Sequence, residues 1–182
     1  MVLLNDLIRV YDNVLDADVC DSLIHIFDSN EDKHEKVDEQ KKPCFTQFNV
    51  TQFSDDHKDI HNLLIKETFK YRDDYYKFVD KRVFPEKHAF EQFRIKRYEP
   101  NGEDMFDTHV DVGTYASARR FLSFMWYLND VPSGGNTVFD GLTIKPERGK
   151  LVVFPPLWMF PHRGEPVTES SKYILSTYLH YI

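Results

Sequence analysis

His109, Asp111 and His162 are the residues of this chain whose types and spacing suit metal chemistry. In an extended strand, residues two apart project from the same face, so His109-Val110-Asp111 would present an imidazole and a carboxylate together, with Val110 turned away. A helix would splay the pair. His162 follows the apolar run 151–160, where a neighbouring strand could carry it into reach. Two imidazoles and one carboxylate can hold a transition metal on one face and leave the opposite positions open. Taken bare, the His-x-Asp spacing also describes a surface histidine beside a charged turn, and these residues alone leave that alternative standing. His57 and His61 stand at i, i+4 of an expected helix. The residues between them read Lys-Asp-Ile, without the glutamate of an HExxH site, so they read as a surface pair.

A second chemical feature lies in the last strand. Lys172, Ile174, Ser176, Tyr178 and His180 alternate on one face against Tyr173, Leu175, Thr177, Leu179 and Tyr181 on the other. A lysine opening so apolar a strand is costly to bury without an anion. A bound carboxylate would supply one, and Ser176 on the same face could donate a second hydrogen bond. Ser170 and Ser171 also permit a solvent-edge position for Lys172. A metal held by two histidines and a carboxylate is the ligand set of non-heme Fe(II) oxygenases.

The elements that must position these groups fall into two textures. The segment 7–15 is short and β-leaning. It leads into 16–27, where Val19, Leu23, Ile26 and Phe27 recur at helical spacing behind an acidic cap, which predicts a helix of about 12 residues. Residues 30–42 form a mixed charge run that reads as a solvated loop. A second helix is predicted over 56–79, with Ile60, Leu63, Leu64, Tyr71, Tyr75 and Phe78 on one stripe. From Phe90 onward, short apolar or alternating runs follow one another: 93–98, 121–128, 137–139, 142–144, 151–154 and 173–182. Pro, Gly and Asn clusters separate them. Such punctuation indicates a β-barrel or sandwich with the helices outside it.

Composition bounds what the chain can be. Its 182 residues suit one domain, and 41% hydrophobic content supports a packed core. Aromatics reach 15%, so the core is expected to rest on large rings. The formal charge of −7 disfavours nucleic acid as a partner. No apolar run approaches the roughly 20 residues of a membrane span. The opening Met1-Val2-Leu3-Leu4-Asn5-Asp6 lacks the basic stretch of a secretory signal. Cys20 and Cys44 form no CxxC unit and read as reduced structural thiols. These features together lead to the expectation of an intracellular, cytoplasmic protein without a membrane partner.

With these residues in view, the segment 92–181 resembles the 2-oxoglutarate/Fe(II)-dependent dioxygenases, in their prolyl 4-hydroxylase-like branch. The matching string runs Tyr98, Gly102, Phe106, His109-x-Asp111, Arg119/Arg120, Tyr127-Leu128-Asn129, Gly134-Gly135-x-Thr137-x-Phe139, Gly149, Phe154, His162 and Lys172. The segment 10–24 is similar to the N-terminal strand and helix of that branch. The resemblance implies a mainly β protein with flanking helices, a double-stranded β-helix (jelly roll, cupin-like). It implies a single domain over 1–182, with 1–90 as N-terminal strand and supporting helices and 91–182 as the jelly-roll core. It assigns His109, Asp111 and His162 to catalytic Fe(II), and Lys172 to the distal carboxylate of 2-oxoglutarate. Tyr127, Tyr98 and Ser176 join Lys172 as cosubstrate-binding residues. Arg120, or Arg119 in the alternative register, and Trp158 would face the substrate. Tyr178 departs from the family pattern, which often has Trp there. The implied activity is hydroxylation of a prolyl residue in a protein or peptide, using O2 and releasing succinate and CO2, with ascorbate as reductant. The alternatives are another side chain or a free small molecule with the same cosubstrates, and a non-catalytic jelly-roll binding module. Residues 31–56 and 76–92 are expected to frame the cleft.

Overall fold

Strands whose faces are both covered read as continuous apolar runs, and β10 (Leu151–Phe154) is buried at all four positions. Its side chains divide between two cores. Leu151 and Val153 point into one that they share with Leu23, Phe27, Leu64 and Tyr75 of the helices. Val152 and Phe154 point into the other, beside Tyr98, Phe139, Phe160 and Ile174. The main sheet is therefore the middle layer of a three-layer structure, in a computed structural model that describes residues 3–39 and 43–182.

That sheet runs in the order β1-β10-β7-β12-β5-β3-β2, with β4 also paired to β12. Its strands are β1 (Arg9–Tyr11), β2 (Glu35–Asp38), β3 (Cys44–Asn49), β4 (His88–Phe90), β5 (Arg94–Tyr98), β7 (Arg120–Tyr127), β10 and β12 (Lys172–Tyr181). A smaller sheet of β6 (Phe106–His109), β8 (Thr137–Phe139), β9 (Leu142–Ile144) and β11 (His162–Gly164) faces it, in the order β6-β11-β8-β9. All pairings are antiparallel. Two facing antiparallel sheets with these crossovers make the jelly roll that the resemblance implies.

The helices pack on the outer face. Helix α1 (Ala17–Asp28) starts after Asp16 and buries Cys20, Leu23, Ile26 and Phe27. Helix α2 (Lys58–Phe78) buries Leu64, Thr68 and Tyr75. Phe78, expected on the buried stripe, is exposed and lies under the Arg9 guanidinium, 4.6 Å from its ring centre. His57 precedes the helix rather than riding on it. His61 meets Thr51 Oγ1 at 3.3 Å and the edge of Phe93, so it is a packed residue and not half of a surface pair.

Two further expectations change. The charge run read as a loop contains β2, whose exposed side chains hide an ordinary ladder with β3; residues 40–42 of that run lie outside the described residues. The boundary at residue 90 is not one in the sheet, because β1 to β4 all belong to it, and β3 carries Phe45 and Phe48 into the two cores. Both cysteines are buried free thiols. Among the described residues no helix is long and apolar enough to cross a membrane.

The strand β10 is entered through Gly149, at φ 74°, whose amide donates to the Tyr127 carbonyl at 2.9 Å. A Cβ there would collide with the Leu15 carbonyl oxygen, whereas one at Gly102 (φ 77°) would meet nothing. Gly102→Ala should therefore cost only the left-handed backbone, about 1 kcal/mol, and Gly149→Ala about 2 kcal/mol or more. Urea denaturation of the two variants checks the difference; equal costs would remove the close approach as the cause.

Candidate active site

Strand pairing between β6 and β11 sets His109 directly opposite His162. Their ring centres are 4.3 Å apart. Each ring is oriented by a carbonyl two residues upstream: His109 Nδ1 donates to Asp107 O at 2.8 Å, and His162 Nδ1 to Phe160 O at 3.1 Å. A carbonyl oxygen can only accept, so the proton sits on Nδ1 in both rings and each Nε2 presents a lone pair. Both lone pairs aim at Asp111. His109 Nε2 lies 3.5 Å and His162 Nε2 4.0 Å from Asp111 Oδ1.

Asp111 itself falls just beyond the end of β6, in a bend. The same-face argument for His109 and Asp111 thus ends in the right place by a different backbone path. The bend is tied down: Val112 N donates to Pro156 O at 3.0 Å, and Arg120 Nη1 donates to the Asp111 carbonyl at 3.1 Å. Phe106 stacks on the His109 ring at 3.4 Å with the planes 5° apart. It blocks rotation of the imidazole.

The electrostatics favour cation capture. Burial alone would raise the Asp111 carboxyl, but the adjacent His109 and His162 and the nearby Lys96 outweigh it and hold its pKa below the usual carboxylate value. Burial pushes the His162 imidazole down, so it stays neutral and able to ligate. One atom from each of the three residues lies within 4.8 Å of the others. Two imidazoles with Nε2 turned to one point and a carboxylate beside them, with open space on one side, fit a divalent first-row metal.

That space is a cleft of about 480 Å³ between the two sheets. Lys172 lies at its enclosed end, only 2% exposed. Its Nζ donates to Gly135 O at 2.8 Å and sits 4.6 Å over the Tyr98 ring. The solvent-edge alternative for Lys172 is therefore excluded. Gly135, at φ 69°, leaves room for it: a Cβ there would stand 3.4 Å from Lys172 Cδ and 2.9 Å from Val167 Cγ1. Burial lowers the Lys172 pKa to about 8, with Glu165 opposing the shift. Tyr98, Ser176, Ser123, Met125 and Thr137 line the same cleft.

Other sequence-predicted residues lie differently. Tyr127 is fully buried and does not line the cleft; its hydroxyl donates to Thr137 Oγ1 at 2.6 Å, so Thr137 stands between it and the cavity. Arg120, the first residue of β7, faces the cleft, whereas Arg119, in the turn before that strand, is exposed. Arg120 grips Glu91 with two hydrogen bonds, of 2.7 and 2.8 Å, and lies 4.1 Å over the Tyr178 ring. Trp158 is 76% exposed and lines neither the inner cleft nor its outer extension, since it sits on a turn between β10 and β11 and not on a strand. Phe45, Gln47 and Glu91, from the two segments expected to frame the cleft, do line its outer part. Lys96 was missed. It lines both inner and outer parts, and its place two residues before Tyr98 on β5 was the available signal.

Residues 93–180 match the sequence profile of the 2OG-Fe(II) oxygenase superfamily. A curated relative from Arabidopsis thaliana, named probable prolyl 4-hydroxylase 9, is 28% identical over 56% of this chain. The chain spans less than half of that relative, 46%. Among solved structures, the viral collagen prolyl hydroxylase of Paramecium Bursaria Chlorella virus-1, in its 2OG complex, superposes with a TM-score of 0.69 at 20% identity, covering 97% of this chain and 96% of that one. A Trichoplax adhaerens prolyl hydroxylase bound to a hypoxia inducible factor peptide fragment gives 0.72 at 13% identity, covering 96% and 83%. At these identities the structural likeness establishes the fold, a jelly roll.

The Lys172 ammonium, at 10.5 in an open chain and about 8 when folded, makes the ligand-free protein less stable wherever it is charged. That penalty is complete below pH 8 and fades as pH rises toward 10.5. Without ligands, wild type should therefore gain stability relative to Lys172→Met across this interval. Denaturant titrations at several pH values check it, and a constant difference would contradict it.

Proposed function

Because residues 93–180 belong to the 2OG-Fe(II) oxygenase superfamily, we propose that this chain is a 2-oxoglutarate- and Fe(II)-dependent dioxygenase that hydroxylates a prolyl residue of a protein or peptide. The single observation that carries the reading is one cleft with a three-residue metal set on its wall and an enclosed lysine at its end. The metal and cosubstrate together would supply the oxidising power, with O2 consumed and succinate and CO2 released.

The chain's own residues then have distinct tasks. His109 Nε2, Asp111 and His162 Nε2 would hold Fe(II) and leave its remaining positions toward the cleft. Lys172 would pair with the distal carboxylate of 2-oxoglutarate, exchanging its contact with Gly135 O for a full ion pair in a dry site. Ser176, two pleats along the same face of β12, would donate a second hydrogen bond. Tyr98 forms the aromatic floor under the lysine. Tyr127 acts at one remove, fixing the Thr137 hydroxyl that lines the cavity. Arg120 locks the Asp111 backbone and the outer wall. Arg119 and Trp158 have no place in this machinery. The chain is read as one domain, since the sheet that carries the site draws strands from both halves.

A protein or peptide substrate suits the outer cleft, whose roughly 910 Å³ opens beside the metal set. The buried free thiols agree with a reducing, cytoplasmic setting. Ascorbate enters as the reductant of the assay. A non-catalytic module is disfavoured because the donor set and Lys172 are all present and oriented.

With Fe(II), 2-oxoglutarate, ascorbate and a Pro-containing peptide, the protein should form succinate and a peptide bearing one extra oxygen on proline. His109→Ala and Asp111→Ala should abolish both products, and chelation followed by Fe(II) addition should stop and restore them. Unchanged turnover in either variant would sink the assignment. Oxygen on another residue would keep the cosubstrate chemistry and move the substrate.

A further inference from the structure

Alternate residues of β5 place Arg94, Lys96 and Tyr98 on the cleft face. They form a graded series. Tyr98 lies at the enclosed end under Lys172, Arg94 belongs to the outer cleft alone, and Lys96 lines both. Lys96 therefore sits where the inner cavity opens into the outer one, on the same stretch of wall as Asp111, Ser176 and Tyr178.

The cations around it are engaged. Arg94 reaches Glu35 at 3.2 Å and Gln92 at 2.5 Å. Arg120 is held by both oxygens of Glu91. Lys172 is bonded to Gly135 O. The Lys96 side chain has no hydrogen bond or salt bridge to any described residue; the Phe45 ring lies 5.3 Å from its Nζ. Burial pulls its pKa down to about 8, partly offset by Asp111, so it stays charged at neutral pH. The carboxylate of Asp111 is committed to the two imidazoles and to the metal they suit. A half-buried ammonium left over in this way, facing the cleft, is placed to take an anion from outside the chain. The cosubstrate's distal carboxylate has its own cation in Lys172, at the opposite end of the cavity.

We propose that Lys96 is a specificity-determining residue that binds a substrate carboxylate lying close to the carbon to be hydroxylated, so that this cleft selects acidic substrates. The inference rests on the dioxygenase reading above. The carboxylate is either the side chain of an Asp or Glu next to the target residue, or the terminal carboxylate of a target residue at the chain end. Both sources present the same group to one ammonium.

The test uses full-length protein loaded with Mn(II) and 2-oxoglutarate, and calorimetric titration with paired peptides. One pair has Pro followed by Glu or by Gln; the other ends in Pro as free acid or as amide. The acid of at least one pair should bind about tenfold or more tightly than its neutral partner. The pair that discriminates identifies the source. Lys96→Met should erase the difference and leave the neutral peptide's affinity in place, and Lys96→Glu should shift preference to a peptide with Lys at that position. Equal binding of acid and neutral peptides by wild type, or discrimination that survives in Lys96→Met, overturns the proposal. A thermal shift with Mn(II) and 2-oxoglutarate, read on wild type and Lys96→Met, separates the two levels. Its presence without charge discrimination removes the inference alone, and its absence in wild type removes the dioxygenase reading and this inference with it.

Discussion

The pairing of His109 with His162 across β6 and β11 is the constraint on which the site depends. Two strands distant in sequence place two imidazoles side by side, and local carbonyls at Asp107 and Phe160 fix which nitrogen carries the proton. Neither ring has to search for its orientation when a cation arrives, so little entropy opposes binding. Asp111 completes the set from a bend anchored by Arg120 and by the 156 carbonyl. Moving any of these strands by one residue would turn a ligand to the wrong face.

Around that centre the fold manages buried charge. Lys172 is a buried lysine and Lys96 a half-buried one on the same cleft, and burial lowers the pKa of both to about 8. Their surroundings differ. Lys172 has a carbonyl, an aromatic floor and the nearby Glu165. Lys96 has an aromatic ring and two neighbouring arginines that repel it. A jelly roll can tolerate such groups because the sheets on either side carry a large apolar core of Phe, Tyr, Trp, Val and Leu. The aromatic surplus of the chain is spent chiefly on that core, with Phe106, Tyr98, Phe154 and Tyr178 among the rings that line the site.

Much of this was legible in the chain. The strands 137–139, 142–144 and 151–154 begin and end where the apolar runs do, because turn residues bound them closely. Strand β2 was not, since an edge strand tolerates exposed charge, nor was β3, where Thr46, Gln47 and Asn49 interrupt the apolar residues. Lys96 escaped although 93–98 reads as a strand, because Arg94, Lys96 and Arg97 put cations on both faces and nothing local says which face meets the cleft. Trp158 was expected at the cleft from the resemblance alone, and the short turn between β10 and β11 carries it to solvent.

The sequence by itself determined the residue types of the metal set, the periodicity that separates the two faces of β12, and the glycines at positive φ that only they fill without strain. These are local properties, encoded in spacings of a few residues. Only the tertiary structure decided which cation stands free, which arginine turns inward and whether Tyr127 reaches the cavity. Each of those depends on what lies opposite, contributed by a strand tens of residues away. Side-chain period places a residue on a face, but the register between strands decides what that face meets.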